Sequence, residues 1–495
     1  MRPFGFYDAG RWRTKFEWRT FIALVTILVV TNIGYRWLAM PPEYEWGPLS
    51  FVMNPETVDT IASYWDTNFW RLFLPIDMGG NRYSWSPIMI ITATFLWNTF
   101  SPATVYFIFT SLHVASFATV AYTFTRSLLF TAVLGFMVSL STSLNYGMVY
   151  GMASTIHLFL AFAAITAFVS IRYLTHASTS YKWVAGLVLS WIFLALCFEF
   201  WVNLAIPTIL SAILIHVWAR RTDHADLRKR SAIVALSVFG VLLVYIAARL
   251  QFAGQHVMHG HENEMVFSYD HLLLAVEDMF INYLTYLHMV ITSILPGFLS
   301  FSPSYTYIGP ETILAGQNGY HSLKTDLVIF SHLTSWRFLA GAYCVGFLML
   351  SYRILISAFS SRSANALIPL VFVIIVLAGF VTYIPIKMRP MHLTAMLGYK
   401  AIISSSGFLI LIAWLFYTAP AWAKSEFIRK AFIIILPCFV VLAAFTRPAV
   451  ERAGLEAVGL GSVSDPFWWL GDPAPEPVQE PAQESASGPA QEPNP

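Results

Sequence analysis

The sequence predicts an all-α polytopic membrane bundle of about eleven or twelve crossing helices. Three observations carry that class. Only 11% of the 495 residues are charged, while 57% are hydrophobic; a soluble domain carries about 25% charge. The mean hydropathy is +0.62. Apolar runs recur along nearly the whole chain, at the length of about 20 residues that crosses ~30 Å of hydrocarbon at 1.5 Å per residue.

The elements follow in order. Residues 1–19 carry Arg2, Arg11, Arg13, Lys15 and Arg19, so the positive-inside rule holds this segment in the cytoplasm. The first span, 20–40, runs into Tyr35-Arg36-Trp37 with no small-residue cleavage site, and is read as a retained helix. Residues 41–102 form a long outer loop, aromatic and turn-rich, with Pro41-Pro42, Gly79-Gly80 and Ser86-Pro87. Its apolar stretch 88–100 is short for a span. Basic residues decide its placement: Arg172 and Lys182 mark one connection, and Arg220, Arg221, Arg228, Lys229 and Arg230 another. With spans at 103–125, 127–145, 150–171, 183–198 and 200–219, both connections are cytoplasmic only if 88–100 does not cross. A seventh span, 231–250, completes a module over 20–250.

Residues 251–334 are polar loops around one apolar segment, 271–298, which contains Glu277, Asp278 and His288. It can span or lie at the interface, and its placement decides between eleven and twelve crossings. Later charge does not choose. Arg353, Arg362, Lys424, Arg429 and Lys430 fall on one side, and Lys324, Arg337, Lys387, Arg389, Lys400, Arg447 and Arg452 on the other. The C-terminal helices occupy 335–446, with spans at 335–353, 364–385, 393–417 and 430–446. A short tail, 447–495, follows. From about residue 472 it is rich in Pro, Glu and Gln, cannot offset its ordering entropy by burial, and is expected to be disordered. Such a tail is where a protein partner would bind.

A net charge of +2 says little about partners, and no basic patch points to nucleic acid; the bilayer is the evident partner. Cys197, Cys344 and Cys438 lie in apolar stretches without a CxxC pair and are expected to be buried and structural. His256, His259, His261, Glu262 and Glu264 form a compact run whose spacing matches no zinc motif, and a solvated loop accounts for it. No metal ligands are assigned.

The chemistry is placed in the first outer loop. Asp59, Asp66 and Asp77 lie among Tyr64, Trp65, Phe69, Trp70, Tyr83 and Trp85. On a helix, Asp59 and Asp66 would be two turns apart on one face. A carboxylate among rings at a membrane surface can act as a base or hold a metal; solvated acids beside interfacial aromatics are the plainer reading. His113, His157 and Glu199 stand isolated in apolar segments, as helix-to-helix hydrogen bonds or as functional groups.

A single first helix, a long acidic outer loop, Asn81-Arg82-Tyr83-Ser84-Trp85-Ser86-Pro87, a short apolar segment, Asn98-Thr99-Phe100-Ser101-Pro102 and a span ending in Arg126 follow in that order. This order, with Phe198-Glu199-Phe200 at the outer end of a later span, resembles the GT-C superfamily of membrane glycosyltransferases over about residues 20–220. Two departures are evident: no Asp-Glu pair follows the first helix, where the nearest acids are Glu43 and Glu45, and only a short tail stands where many members carry a folded outer domain.

The resemblance implies a GT-C-like bundle and inverting transfer of a sugar from a polyprenyl-phosphate donor. The reaction would occur at the outer face of a bacterial-type inner membrane, within the cell envelope. Asp66 would be the base that takes the acceptor proton, with Asp59 or Asp77 as substitutes. Lys387, Arg389 and Lys400 would meet the leaving phosphate, with Arg71, Arg82 and Glu199 as further substrate-binding candidates; ordinary juxtamembrane charge is the plainer account of the basic group. This role requires Lys387 and Arg389 to face outward, and so requires 271–298 not to cross. No fixed cofactor is implied, although some members use a divalent cation (Mg or Mn). A transporter or lipid flippase is the rival from another class, yet the sequence has no internal repeat. A non-catalytic subunit retaining the fold is the third reading.

Overall fold

The computed structural model describes residues 17–39, 100, 102–140, 154–175, 181–197, 200–252, 272–292, 334–384 and 401–422, with positions 438, 441 and 442. Nearly all of them are helical. In chain order the helices are α1 Trp18–Ala39, α2 Pro102–Thr125, α3 Leu128–Leu140, α4 Ser154–Thr175, α5 Tyr181–Cys197, α6 Trp201–Arg221, α7 Ala225–Phe252, α8 Leu272–Thr292, α9 Thr334–Ser360, α10 Leu367–Ala378 and α11 Ile402–Trp422. Two 3₁₀ turns, Ala364–Ala366 and Val381–Tyr383, flank α10.

Six segments of α1, α2, α4, α6, α7 and α9 are long and apolar enough to cross a membrane. Large apolar side chains such as Ile22, Val30, Leu189, Leu236, Val244 and Met349 are exposed on the bundle surface. In water so wide an apolar surface would drive aggregation; against lipid it costs nothing. The described residues form an all-α bundle of an integral membrane protein.

Packing fixes the direction of each helix. At one end, Phe21 stacks on Tyr122, Arg230 donates to the Leu174 carbonyl, and Trp218 donates to the carbonyls of Ala358 and Ser361. The start of α1, the 126–127 turn, the end of α4, the 222–224 turn and the 361–363 turn therefore share this end. It carries Arg126, Arg172, Lys182, Arg220, Arg221, Arg228, Lys229, Arg230 and Arg362, and the positive-inside rule predicts that this end faces the cytoplasm.

At the opposite, outer end Arg36 meets Tyr106, Trp201 packs edge-on against Tyr245, and Thr382 donates to the Asn203 side chain. The start of α11 lies there too, since Ser404 donates to the Ile375 carbonyl, and α11 descends until Trp414 meets Phe130. The chain thus leaves at Ile384 and returns at Ala401 on the outer side. Helix α7 ends and α9 begins at this same end. A lone crossing by α8 between them is therefore excluded, and Tyr283 and Tyr286 of α8 pack on Phe380 at the outer end of α10.

Several boundaries differ from the sequence expectation. The basic stretch expected as a connection is largely helical, because α7 begins at Ala225 with Asp226 in its first turn, where a carboxylate complements the helix dipole. Helix α9 continues past Arg353 to Ser360. The expected span 364–385 breaks after Ala378. There Gly379 lies so close to the incoming α11 that a Cβ would sit 2.6 Å from both the Ile375 carbonyl and the Ser404 hydroxyl. Pro207 inside α6 leaves the Asn203 carbonyl without its helical donor, and neighbouring helices make such breaks tolerable in a membrane. Cys197 and Cys344 are buried as expected, whereas Cys438 is exposed.

These directions predict a labelling pattern. In a background lacking the three native cysteines, Ser361→Cys and Lys387→Cys should react with a membrane-impermeant maleimide from opposite faces. Labelling of both from one face would overturn the placement of α10.

Candidate functional site

Polar side chains gather at the outer ends of α1, α2 and α4. Asn32 and Arg36 are one turn apart on α1, and Tyr106, Thr110 and His113 fall at i, i+4 and i+7 along one face of α2. His157 lies in the first turn of α4. Arg36, Asn32, Tyr106, Thr110 and His113 are each 0% exposed. Removing a guanidinium from water at membrane depth costs at least ~2.5 kcal/mol on insertion scales, and intramembrane charges are accordingly functional by default.

Geometry shows how the charge is held. Arg36 Nε donates to Asn32 Oδ1 at 2.8 Å, and Nη1 donates to the Tyr106 hydroxyl oxygen at 2.6 Å. Asn32 Nδ2 donates to Thr110 Oγ1 at 3.0 Å, and that hydroxyl donates in turn to the Phe107 carbonyl at 3.2 Å. The Asn32 amide is thereby oriented, with oxygen toward the cation and nitrogen toward Thr110. A phenol that accepts from a cation is polarised as a donor.

A second pair adjoins the first. Tyr106 meets the His157 ring edge-on at 5.7 Å, and His157 Nδ1 lies 3.2 Å from His113 Nδ1. Between two Nδ1 atoms only one proton fits, so one ring donates and the other accepts. His113 and His157 are therefore joined across helices. His113 Nε2 is buried with no hydrogen-bond partner among the described residues, and the ring rests edge-on against Phe117 at 4.7 Å.

Arg36 lies three residues before α1 ends at Ala39, Tyr106 four after α2 begins, and His157 three after α4 begins. The chain segments 40–101 and 141–153 join the bundle beside this cluster. The arrangement can present a fixed positive charge and a polarised hydroxyl to an anion at the outer side of the membrane. A hydrogen-bonded pair of imidazoles stands next to them.

Asp59, Asp66, Asp77, Arg71, Arg82, Glu199, Lys387, Arg389 and Lys400 all lie outside the described residues, as does the histidine-rich run at 256–264. Among the described residues, no group of three or more His, Cys, Asp or Glu side chains is placed to hold a metal. Sequence reasoning passed over Asn32, Arg36, Tyr106 and Thr110. Arg36 read as the polar end of a span, and a signal was present nonetheless: two polar residues one turn apart on α1 and three along one face of α2. No protein-family model matches this sequence, and no curated protein matches it.

Proposed function

We propose that the protein is a multi-pass membrane glycosyltransferase with a GT-C-like bundle, moving a sugar from a polyprenyl-phosphate donor to an acceptor at the outer face. The observation that carries this reading is the common side of its parts. Buried Arg36, the ends of the loop bearing Asp59, Asp66 and Asp77, and the helix ends flanking Lys387, Arg389 and Lys400 all lie at the outer end of the bundle.

Each part has a task. The acceptor hydroxyl is a weak nucleophile, so a carboxylate of the first loop, Asp66 foremost, takes its proton as the new bond forms. The leaving lipid phosphate gains negative charge as the glycosidic bond breaks. Arg36, already oriented by Asn32 and Tyr106, supplies a cation that needs no reorganisation at that moment. Lys387, Arg389 and Lys400 add charge that draws the anionic donor to this side. The three acids are separated by single substitutions to Asn, assayed for transfer in membranes with a polyprenyl-phosphate-linked sugar. One of the three, Asp66→Asn first, should lose activity by about 10²-fold or more. Full transfer by all three variants would overturn the reading.

A further inference from the structure

Through the bundle, from near the outer end to the cytoplasmic end, runs an apolar cavity of about 290 Å³, walled by α2–α7, the Ala364–Ala366 turn, α10 and α11. Along α4 it extends from Leu160 to Thr175, about 22 Å at 1.5 Å per residue. Its walls are hydrocarbon in effect. The hydroxyls of Thr125, Ser170, Thr175 and Thr208 donate to carbonyls of their own helices; Ser211 and Ser406 are the exceptions, buried with no partner among the described residues. An empty apolar space of this length, inside a bundle surrounded by lipid, is shaped for one chain.

Three arginines neighbour, in sequence, residues that line the cavity at its cytoplasmic end, although none of the three is itself in the lining. Arg126 follows the lining residue Thr125, Arg172 follows Ile171, and Arg230 lies between Leu227 and Val234. The charges of Arg126 and Arg172 are within electrostatic reach of each other. The Arg126 guanidinium lies 5.9 Å from the centre of the Tyr122 ring, and Arg230 Nη2 is 4.0 Å from Asp226 Oδ2. Arg126 is held at φ 50°, a conformation rare for residues other than glycine. Arg230 is 4% exposed and steadies the site by donating to the Leu174 carbonyl at 3.2 Å, while its Nε has no partner among the described residues.

We infer that this is a binding site for an anionic glycerophospholipid of the cytoplasmic leaflet, its phosphate against Arg126 and Arg172 and one acyl chain along the cavity. A soluble anion would leave the apolar space unused, and a zwitterionic lipid would bring no net charge to like-charged arginines. The cytoplasmic leaflet is where anionic headgroups and inter-helix basic pockets meet. The phosphate end of the site is opposite Arg36, and phospholipid binding there is independent of the proposed transfer chemistry.

The test uses the full chain purified in neutral detergent. Native mass spectrometry should find one dioleoyl-phosphatidylglycerol retained per chain. Added phosphatidylglycerol should raise the unfolding temperature by a few degrees, and phosphatidylcholine of the same chains should not. The double variant Arg126→Gln/Arg172→Gln should bind phosphatidylglycerol about 30-fold more weakly. Ala164→Phe, filling the cavity with the arginines intact, should release the retained lipid. Three results would each overturn the inference: equal stabilisation by the two lipids, an unchanged preference in the double variant, or retention of a polyprenyl phosphate in place of a phospholipid.

Discussion

Arg36→Gln should lower transfer about 10²–10³-fold, the scale on which removing one fixed donor to a developing anion acts. The substitution also removes the donor that Asn32 Oδ1 and the Tyr106 hydroxyl now share, at about 1–3 kcal/mol for each buried acceptor left unsatisfied. Arg36→Lys separates charge from geometry. It retains the cation, but a single ammonium cannot reproduce the fork that binds both acceptors at once. Transfer should therefore fall in the order wild type, Lys, Gln. Tyr106→Phe keeps the ring contact with His157 and deletes one acceptor, so its loss should be smaller than that of Arg36→Gln. Rates in membranes, with unfolding temperatures measured on the same purified variants, distinguish a lost charge from a lost fold. A fully active Arg36→Gln would remove Arg36 from the site and leave the loop residues without their buried cation.

The helices were legible because each needs a long apolar run, and runs such as Phe21–Val30 or Ile233–Leu243 have no other explanation. Direction after residue 270 was not legible. The positive-inside signal there is nearly balanced by Lys387, Arg389 and Lys400, which lie outside the described residues. Only tertiary contacts break the tie, Trp218 with Ala358 and Thr382 with Asn203, and each spans more than a hundred residues of sequence. The buried cluster escaped for a related reason. Its bonds join Arg36 to Tyr106, Asn32 to Thr110 and His113 to His157, and no local pattern reports which helices will be neighbours. Helices that are apolar all round mark no buried face, so polar residues on α1 and α2 could be noticed but not paired. Gly379 shows the same limit at a boundary. The run 367–378 continues in hydropathy, and only the arrival of Ser404 against its end shows why the helix stops there.

Trp218→Ala should be the most destabilising single change, by about 3–5 kcal/mol. Trp218 is 0% exposed, and its ring stacks on His224 at 5.2 Å, closing the tight turn between α6 and α7. Its indole N–H reaches the carbonyls of Ala358 and Ser361, each at 3.0 Å. The last carbonyls of a helix have no partner within it, so one donor here serves both the end of α9 and the turn leading to α10. Removing the ring opens a cavity and strands those acceptors; Trp218→Phe refills most of the cavity and strands them still, at about 1–3 kcal/mol. The difference between the two variants therefore divides packing from hydrogen bonding. Reversible unfolding in mixed detergent measures it. Because this contact fixes the cytoplasmic end of α9 and α10, its loss should also blur the sidedness of labelling at Ser361→Cys while leaving Arg36 and the outer cluster undisturbed. Near-native stability of Trp218→Ala would mean that the junction of α6, α9 and α10 is held elsewhere.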